Sequence, residues 1–510
     1  MTRQFSRRAL IVGSAATGAL AWAGGPGSTR AMAAGAQLDY STPAAFATAQ
    51  AAYLAIDPSD NETGLYAWGE SYFLLGLMRM YEATGDPQYL DTFEQRADHL
   101  LGTTDAARGV TDHRGISGPV WRAAGNYTAG HGTLTAADGR PLVQLRWAGS
   151  RSAESTAVVS NASGDTFDLR LSNPATTTVV TLTGLSLDPA AATYVVDAVN
   201  AAYAASTRWT AVDLRTNPAA DPAPEAGTIA FEPQFYVFAV HTGMIVHPLA
   251  LYARTIIEAP SVHGGRRGRA QQLLKAARSA IDFHAEEFVV RPDGIGDYVW
   301  PKGAPVPFDG TVQPYNQSNG VGQAMAEVFR ATGGRHYGSE LRAMIAGLRH
   351  GLVLDADGAY VWRYWPVHSQ LYAGFGAADG ISTYTPSYPA SRQVEDISHA
   401  AITLEFVHAA HEAGVDAGLA TDMTRFAATF ARNVVRSPTE VWLRVDGTAD
   451  AVASNAVQCA RWMPYARLDP VVHEQSLRVY DAVGLVPEQG SHALGIAYLN
   501  WAARQAWENR

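Results

Sequence analysis

A chain of 510 residues, 47% of them hydrophobic and 17% charged, is long enough to bury a large core, and its formal charge of −10 excludes a basic nucleic-acid-binding domain. Its single cysteine, Cys459, excludes an intrachain disulfide, so the fold must rest on packing. An acidic chain also lends no long-range attraction to an anionic polymer, so any such partner needs a local arginine or lysine cluster.

The N-terminus sets the expected compartment. Ser6-Arg7-Arg8 precedes the apolar run Ala9-Leu10-Ile11-Val12, and Ala31-Met32-Ala33 offers a small-x-small cleavage site. Basic, apolar and small segments in that order describe a secretory signal, and the paired arginines point to the twin-arginine route. Residues 1–33 are read as this leader; with Arg3, Arg7, Arg8 and Arg30 and no acid, its removal leaves the chain more acidic. No later apolar run reaches the roughly 18 residues that span a bilayer. The expected location is the periplasm or the medium, with no membrane partner after cleavage.

The next segment, 34–124, reads as helical. Apolar residues recur at helical spacing from Trp68 to Leu101, and Thr84-Gly85-Asp86-Pro87 interrupts them. Glycine stops one helix and proline suits the first turn of the next, which predicts a helical hairpin. Met80 to Tyr89 aligns without gaps on Val328 to Tyr337, with weaker echoes at Phe406 to Gly414 and Leu477 to Gly484. Repeated hairpins cannot bury their faces alone and must stack. The expected fold is therefore mainly α, an α/α toroid of hairpins.

Over 125–233 the period changes. Thr156–Ser160, Thr166–Leu171, Thr177–Leu182 and Thr193–Val199 are rich in Val, Thr and Leu and are separated by Asn, Asp and Pro. These predict strands of a small β-rich insertion, with 217–227 as the return linker. The span 234–510 carries the remainder of the barrel.

Candidate chemistry sits where aromatic and polar residues punctuate helix starts. Trp68 and Glu70 in Tyr66-Ala67-Trp68-Gly69-Glu70-Ser71-Tyr72 combine a stacking platform with a carboxylate. His241 and His247 are about 240° apart on a helix and so cannot share a metal, but His241 can line a cleft. Asn316 and Asn319 belong to a dense amide and hydroxyl run, Gln313 to Asn319, that either caps a helix or contacts a ligand. Arg363 and Trp365 lie in Tyr360-Val361-Trp362-Arg363-Tyr364-Trp365, a core-filling turn or a sugar-stacking wall. Tyr388, Arg392, Glu395 and His399 come from Tyr384 to His399, a proline-stiffened loop running into a helix. There a carboxylate one turn from His399 can hold one imidazole nitrogen and leave the other for proton transfer. Asp355-Ala356-Asp357-Gly358 opens like a calcium loop but has Pro366 at the twelfth position, and Glu405, His408 and His411 lack a second matching motif. No metal and no cofactor are expected.

The Ala-Thr-Gly-x-x-x-Tyr hairpins, the aromatic-Glu-Ser-Tyr helix start and Glu395-Asp396-Ile397-Ser398-His399 together resemble secreted bacterial α/α-barrel polysaccharide lyases of uronic-acid polymers, of alginate or glucuronan type, and the related uronyl C5-epimerases. The resemblance spans much of Tyr66 to Gly414. It implies a glycan substrate and β-elimination, with Asn316 and Arg392 on the uronate carboxylate and His399 and Tyr388 as proton carriers. The residues themselves add Trp68, Glu70, His241, Asn319, Arg363, Trp365 and Glu395 as expected substrate contacts. Two other readings are an inverting glycoside hydrolase pairing Glu70 with Glu395 or Asp396, and a non-catalytic glycan-binding protein. The oligomeric state is not legible.

Overall fold

The computed structural model describes residues 38–508 except 57, 205, 219–220 and 485–488. The leader expected over 1–33 lies outside the described residues.

Helix α1 (Pro43–Leu54) precedes the first hairpin, α2 (Ser71–Thr84) and α3 (Gln88–Gly102). A second hairpin is α4 (Ala239–Glu258) with α5 (Arg267–Asp282), and a third is α6 (Tyr315–Thr332) with α7 (Arg335–Gly351). A fourth is α8 (Ile397–Glu412) with α9 (Leu419–Thr429). The 3₁₀ stretch Val457–Tyr465 pairs with α10 (Val471–Val483), and α11 (Gly490–Glu508) packs on α1.

Two kinds of helix are distinguishable from their residues. In α2 every residue from Ser71 to Met80 is buried, and α4 is buried from Ala239 to Ala253. A helix apolar on all sides must lie inside. By contrast α3 buries only Leu90, Phe93, Ala97 and Leu100, one stripe, and belongs outside. The inner members close a ring: α2 packs on α4, α4 on α6, α6 on α8, α8 on the 3₁₀ stretch, that stretch on α11, and α11 on α2. Each inner member has its outer partner, α3, α5, α7, α9, α10 or α1. This is an α/α toroid, as the hairpin repeat leads one to expect.

The tight turns follow from glycine. Gly85, Gly333 and Gly414 have φ of 74°, 67° and 68°, a left-handed conformation that a side chain disfavours, and each ends an inner helix. The echo at Leu477–Gly484 is placed differently: Gly484 ends the outer helix α10. At the α4–α6 contact a Cβ on Gly243 would lie 2.3 Å from the Gly320 carbonyl oxygen and 2.5 Å from Val321 Cα. Only glycine lets these backbones approach so closely.

Two antiparallel sheets fill the span 130–233. One has the order β6-β2-β1-β8 and the other β5-β4-β3-β7. The strands are β1 (Gly130–Thr135), β2 (Pro141–Trp147), β3 (Thr156–Ser163), β4 (Thr166–Ser172), β5 (Val180–Ser186), β6 (Trp209–Asp213), β7 (Gly227–Ala230) and β8 (Glu232–Pro233). Leu145, Trp147 and Trp209 from one sheet meet Val159, Phe167 and Leu169 from the other in a core separate from that of the barrel. The strand expected at Thr193–Val199 is instead the helix Val195–Ala201. Its buried residues, Val195 and Val199, are four apart, so the helical period prevails over β-branched propensity. The module docks on a barrel loop: His131 Nε2 lies 2.9 Å from the Tyr384 hydroxyl and the two rings stack. Among the described residues no helix is long and apolar enough to cross a membrane.

Candidate active site

Except for α11 and α1, which come from opposite ends of the chain, a turn joins each inner member to its outer partner at one end of the ring, so long connections cross the other end. The N-termini of the inner helices therefore share one mouth. There α8 begins with Asp396 as its N-cap. Its Oδ1 accepts the backbone N–H groups of Ser398 at 2.9 Å and His399 at 3.1 Å. Its Oδ2 takes a hydrogen bond from His399 Nδ1 at 2.5 Å. One carboxylate thus caps the helix and fixes the imidazole. Among the described residues none is hydrogen-bonded to His399 Nε2, and the side chain is 27% exposed.

The charges follow from this arrangement. Burial opposes a charged His399, but the Asp396 carboxylate and then Glu395 outweigh it and raise the imidazolium to about 9. Burial likewise opposes ionised Asp396, but His399 holds that carboxyl below the usual range. Glu395 is fully buried, and burial pushes its carboxyl well above the usual range. Its Oε1 lies 3.9 Å from His399 Nδ1, and its Oε2 has no hydrogen-bond partner. The trio is thus an Asp396 carboxyl held low, a His399 imidazolium raised to about 9 and a Glu395 whose burial favours the neutral form. Their ligand atoms lie within 4.8 Å of one another, a spacing a cation can bridge, but both Asp396 oxygens already serve as cap and imidazole partner.

Aromatic residues wall this corner. The Tyr364 ring is 5.4 Å from the His399 ring, and its phenol is pushed up by burial and then by Glu395 and Asp396. Trp365 stands edge-on to Tyr364 at 4.9 Å and to Phe308 at 5.6 Å. Phe308 also meets Tyr388 at 5.2 Å, and Tyr388 bears electrostatically on Tyr364. So His399, Glu395, Tyr388 and Trp365, singled out in the sequence, share one neighbourhood.

Other expected residues are placed elsewhere. Glu70 is 1% exposed and both its oxygens are clamped by Arg96 of α3, at 2.7 and 2.6 Å. It ties an inner helix to an outer one and is not a cleft carboxylate, because its helical position turns it outward. Arg392 lies on the exposed rim, its guanidinium 3.6 Å over the Tyr372 ring and donating to the Tyr372 carbonyl at 2.7 Å. Arg363 donates to the Arg392 carbonyl at 2.6 Å and pins the same loop. Neither arginine stands at His399. Asn319 reaches across the ring to the Thr403 hydroxyl at 3.2 Å, a contact between inner helices. Asn316 is 2% exposed with its Oδ1 unpartnered. Across the mouth Trp68 and Tyr127 stand edge-on to His241 at 5.4 and 4.9 Å, and the Asn61 amide meets His241 Nδ1 at 3.1 Å. Burial pushes His241 down to about 3, so it stays neutral.

The sequence reading missed Arg461. It lies within the 3₁₀ stretch, 5% exposed, near enough to His399 to disfavour its charge. The available signal was a lone cation in the apolar run Gln458-Cys459-Ala460-Arg461-Trp462-Met463.

No family model matches this chain, and no curated protein matches it. Among solved structures, a cellobiose 2-epimerase from Spirochaeta thermophila DSM 6192 aligns with 13% identity over 48% of this chain and 59% of its own, at a TM-score of 0.34. A GH76 α-mannanase from Bacteroides thetaiotaomicron aligns with 11% identity over 54% of this chain and 88% of its own, at a TM-score of 0.31. A family 76 glycoside hydrolase from a bovine strain of the same species aligns with 9% identity over 72% and 96%, at 0.26. Likenesses of this extent leave the chemistry to be read from the site itself.

Proposed function

We propose that this chain is an exported carbohydrate-active enzyme that cleaves a uronic-acid-containing glycan by β-elimination. The observation that carries the reading is the geometry at His399: its Nδ1 is held by Asp396, no described residue bonds its Nε2, and the Tyr364 ring stands 5.4 Å away. A group charged at neutral pH is a proton donor, so His399 is the general acid. In the elimination Tyr388, its own proton first given to solvent, takes on its oxygen the proton α to the uronate carboxylate. That C–H electron pair forms the ring double bond as the C4–O bond breaks. The leaving oxygen takes the proton from His399 Nε2, and Asp396 remains ionised throughout. Trp365 and Tyr364 are 2% and 3% exposed, so they back this corner and fix the imidazole rather than offering a face to a sugar ring.

The hydrolase alternative loses support because Glu70, its second carboxylate, is bound to Arg96. The experiment is an incubation with alginate, glucuronan and neutral glycans, followed by ultraviolet absorbance of the unsaturated uronide and by reducing-end assay. The account expects absorbance to rise on a uronic polymer, and a Tyr388→Phe variant to keep binding while losing turnover by about a hundredfold or more. Reducing ends without absorbance, or full turnover in Tyr388→Phe, would contradict it.

A further inference from the structure

We propose that His350 and His368 bind a divalent transition-metal ion such as zinc on the outer flank of the mouth, with Asp297 holding His368 from behind. The site lies outside the Asp396–His399 corner and stands independently of the elimination reading. It revises the expectation of a metal-free chain.

One imidazole in this flank is half satisfied. His368 Nε2 lies 2.7 Å from Asp297 Oδ2, and the two side chains are 5% and 6% exposed. A carboxylate only accepts, so Nε2 carries the proton, and in the neutral ring Nδ1 carries the lone pair. That Nδ1 is buried, and no described residue bonds it. A buried ring nitrogen left in this way costs free energy unless a ligand takes its lone pair. Asp297 makes no other ion pair among the described residues, so a cation on the far nitrogen also answers its buried charge. Carboxylate, imidazole, then metal is the order in which an outer carboxylate fixes the tautomer and aim of a metal-bound histidine.

A second imidazole stands where a second ligand is needed. The His350 ring is centred 5.8 Å from the His368 ring, with the planes inclined at 50°. Two imidazoles on one zinc ion, each at about 2.0–2.1 Å, have ring centres about 5–6 Å apart. His350 is exposed and no described residue hydrogen-bonds its ring, so it can turn a nitrogen toward His368 Nδ1. It belongs to the last turn of α7, whose C-terminal carbonyls favour a cation. The neighbouring cation, Arg349, is already held by Asp416 and Asp422. Solvent on the exposed His350 side completes the coordination shell. His368 sits in the loop that carries Tyr364, Trp365 and Tyr388, so an ion shared with His350 ties that loop to α7.

The test measures binding and stability on the full chain, stripped of metal with a chelator. Wild-type, His350→Gln, Asp297→Asn and His399→Asn proteins are titrated calorimetrically with Zn2+ and melted with and without it, and Cu2+ replaces Zn2+ for electron paramagnetic resonance. Wild type should bind one Zn2+ with a Kd below about 100 μM and melt at a higher temperature with the ion than without it. Asp297→Asn should weaken binding about ten- to a hundredfold. His350→Gln, a change at an exposed position, removes a ligand; it should weaken binding at least as much and abolish the zinc-dependent rise in melting temperature. The copper spectrum should show two imidazole nitrogens in wild type and one in His350→Gln, and His399→Asn should bind as wild type does. Undiminished affinity in His350→Gln, or no binding tighter than about 100 μM in wild type, would overturn the assignment. So would loss of binding in His399→Asn alone, which would place the ion on Glu395, Asp396 and His399.

Discussion

Asp396 does two jobs with its two oxygens, and they can be separated. Asparagine caps a helix about as well as aspartate, so the capping part of Asp396→Asn should cost less than about 1 kcal/mol, and any loss beyond that measures the imidazolium pairing. The neutral amide no longer holds the imidazolium, and His399 falls from about 9 toward its ordinary value near 6.5. The acid form is the one required, so wild-type turnover should hold up to about 9 and decline above it, while in Asp396→Asn the decline should begin about two units lower. A kcat profile against pH reads this, and coincident alkaline limbs would count against the pairing. The same shift has a stability sign. His399 is raised above its unfolded value, so its contribution is complete below about 6.5 and is lost as pH rises through about 9. Glu70 belongs to the opposite class. Glu70→Gln leaves Arg96 buried with half its partner, which should lower unfolding free energy by about 3 kcal/mol in denaturant titration while turnover of the folded protein stays. A large loss of kcat with unchanged stability would return Glu70 to the cleft. At this scale the sequence showed His399 and Glu395 because a carboxylate one turn from a histidine is a local pattern. It did not show that Glu70 faces outward, since only its partner Arg96, on the next helix, decides that.

Among the elements, the hairpins were legible because their turns need glycine at positive φ, and Gly85, Gly333 and Gly414 stand in the text of the sequence. The fifth inner member was not. Val457–Tyr465 is a short 3₁₀ stretch with Pro464 inside it, and it offers no 3.6-residue period to read. Val195–Ala201 was misread because seven residues rich in valine satisfy both periods, and burial against the module core chose the helix. The contact between α4 and α6 is a matter of backbone approach. Gly243→Ala should force a methyl against the Gly320 carbonyl, which cannot retreat as a side chain can, and lower stability by about 1–3 kcal/mol. Thermal unfolding measures this, and an unchanged melting temperature would show that the two helices slide apart freely.

In the whole molecule, the closed ring turns distant segments into one mouth. The segment after α1, the start of α6, the loop from Tyr360 to Asp396 and the 3₁₀ stretch are remote in sequence, yet each supplies residues there. The ring is sealed where α11 meets both α1 and α2, with Asn500 donating to the Tyr40 carbonyl at 3.2 Å. The β-module adds His131, which fastens Tyr384 in the same loop that carries Tyr388. Closure and docking depend on long-range packing, and no local motif encodes them. Composition accounts for the acidic, disulfide-free character and the hairpin repeat for the toroid, but which loops meet at the mouth is decided only in three dimensions. The most direct test of the account is product analysis by mass spectrometry after digestion of a uronic-acid polymer in heavy-oxygen water, with His399→Asn alongside. Elimination predicts products lighter by one water than hydrolysis gives, carrying no label from solvent, and formed about a hundredfold or more slowly by His399→Asn. Solvent label in the new reducing end, or an undiminished rate without the imidazole, would contradict it.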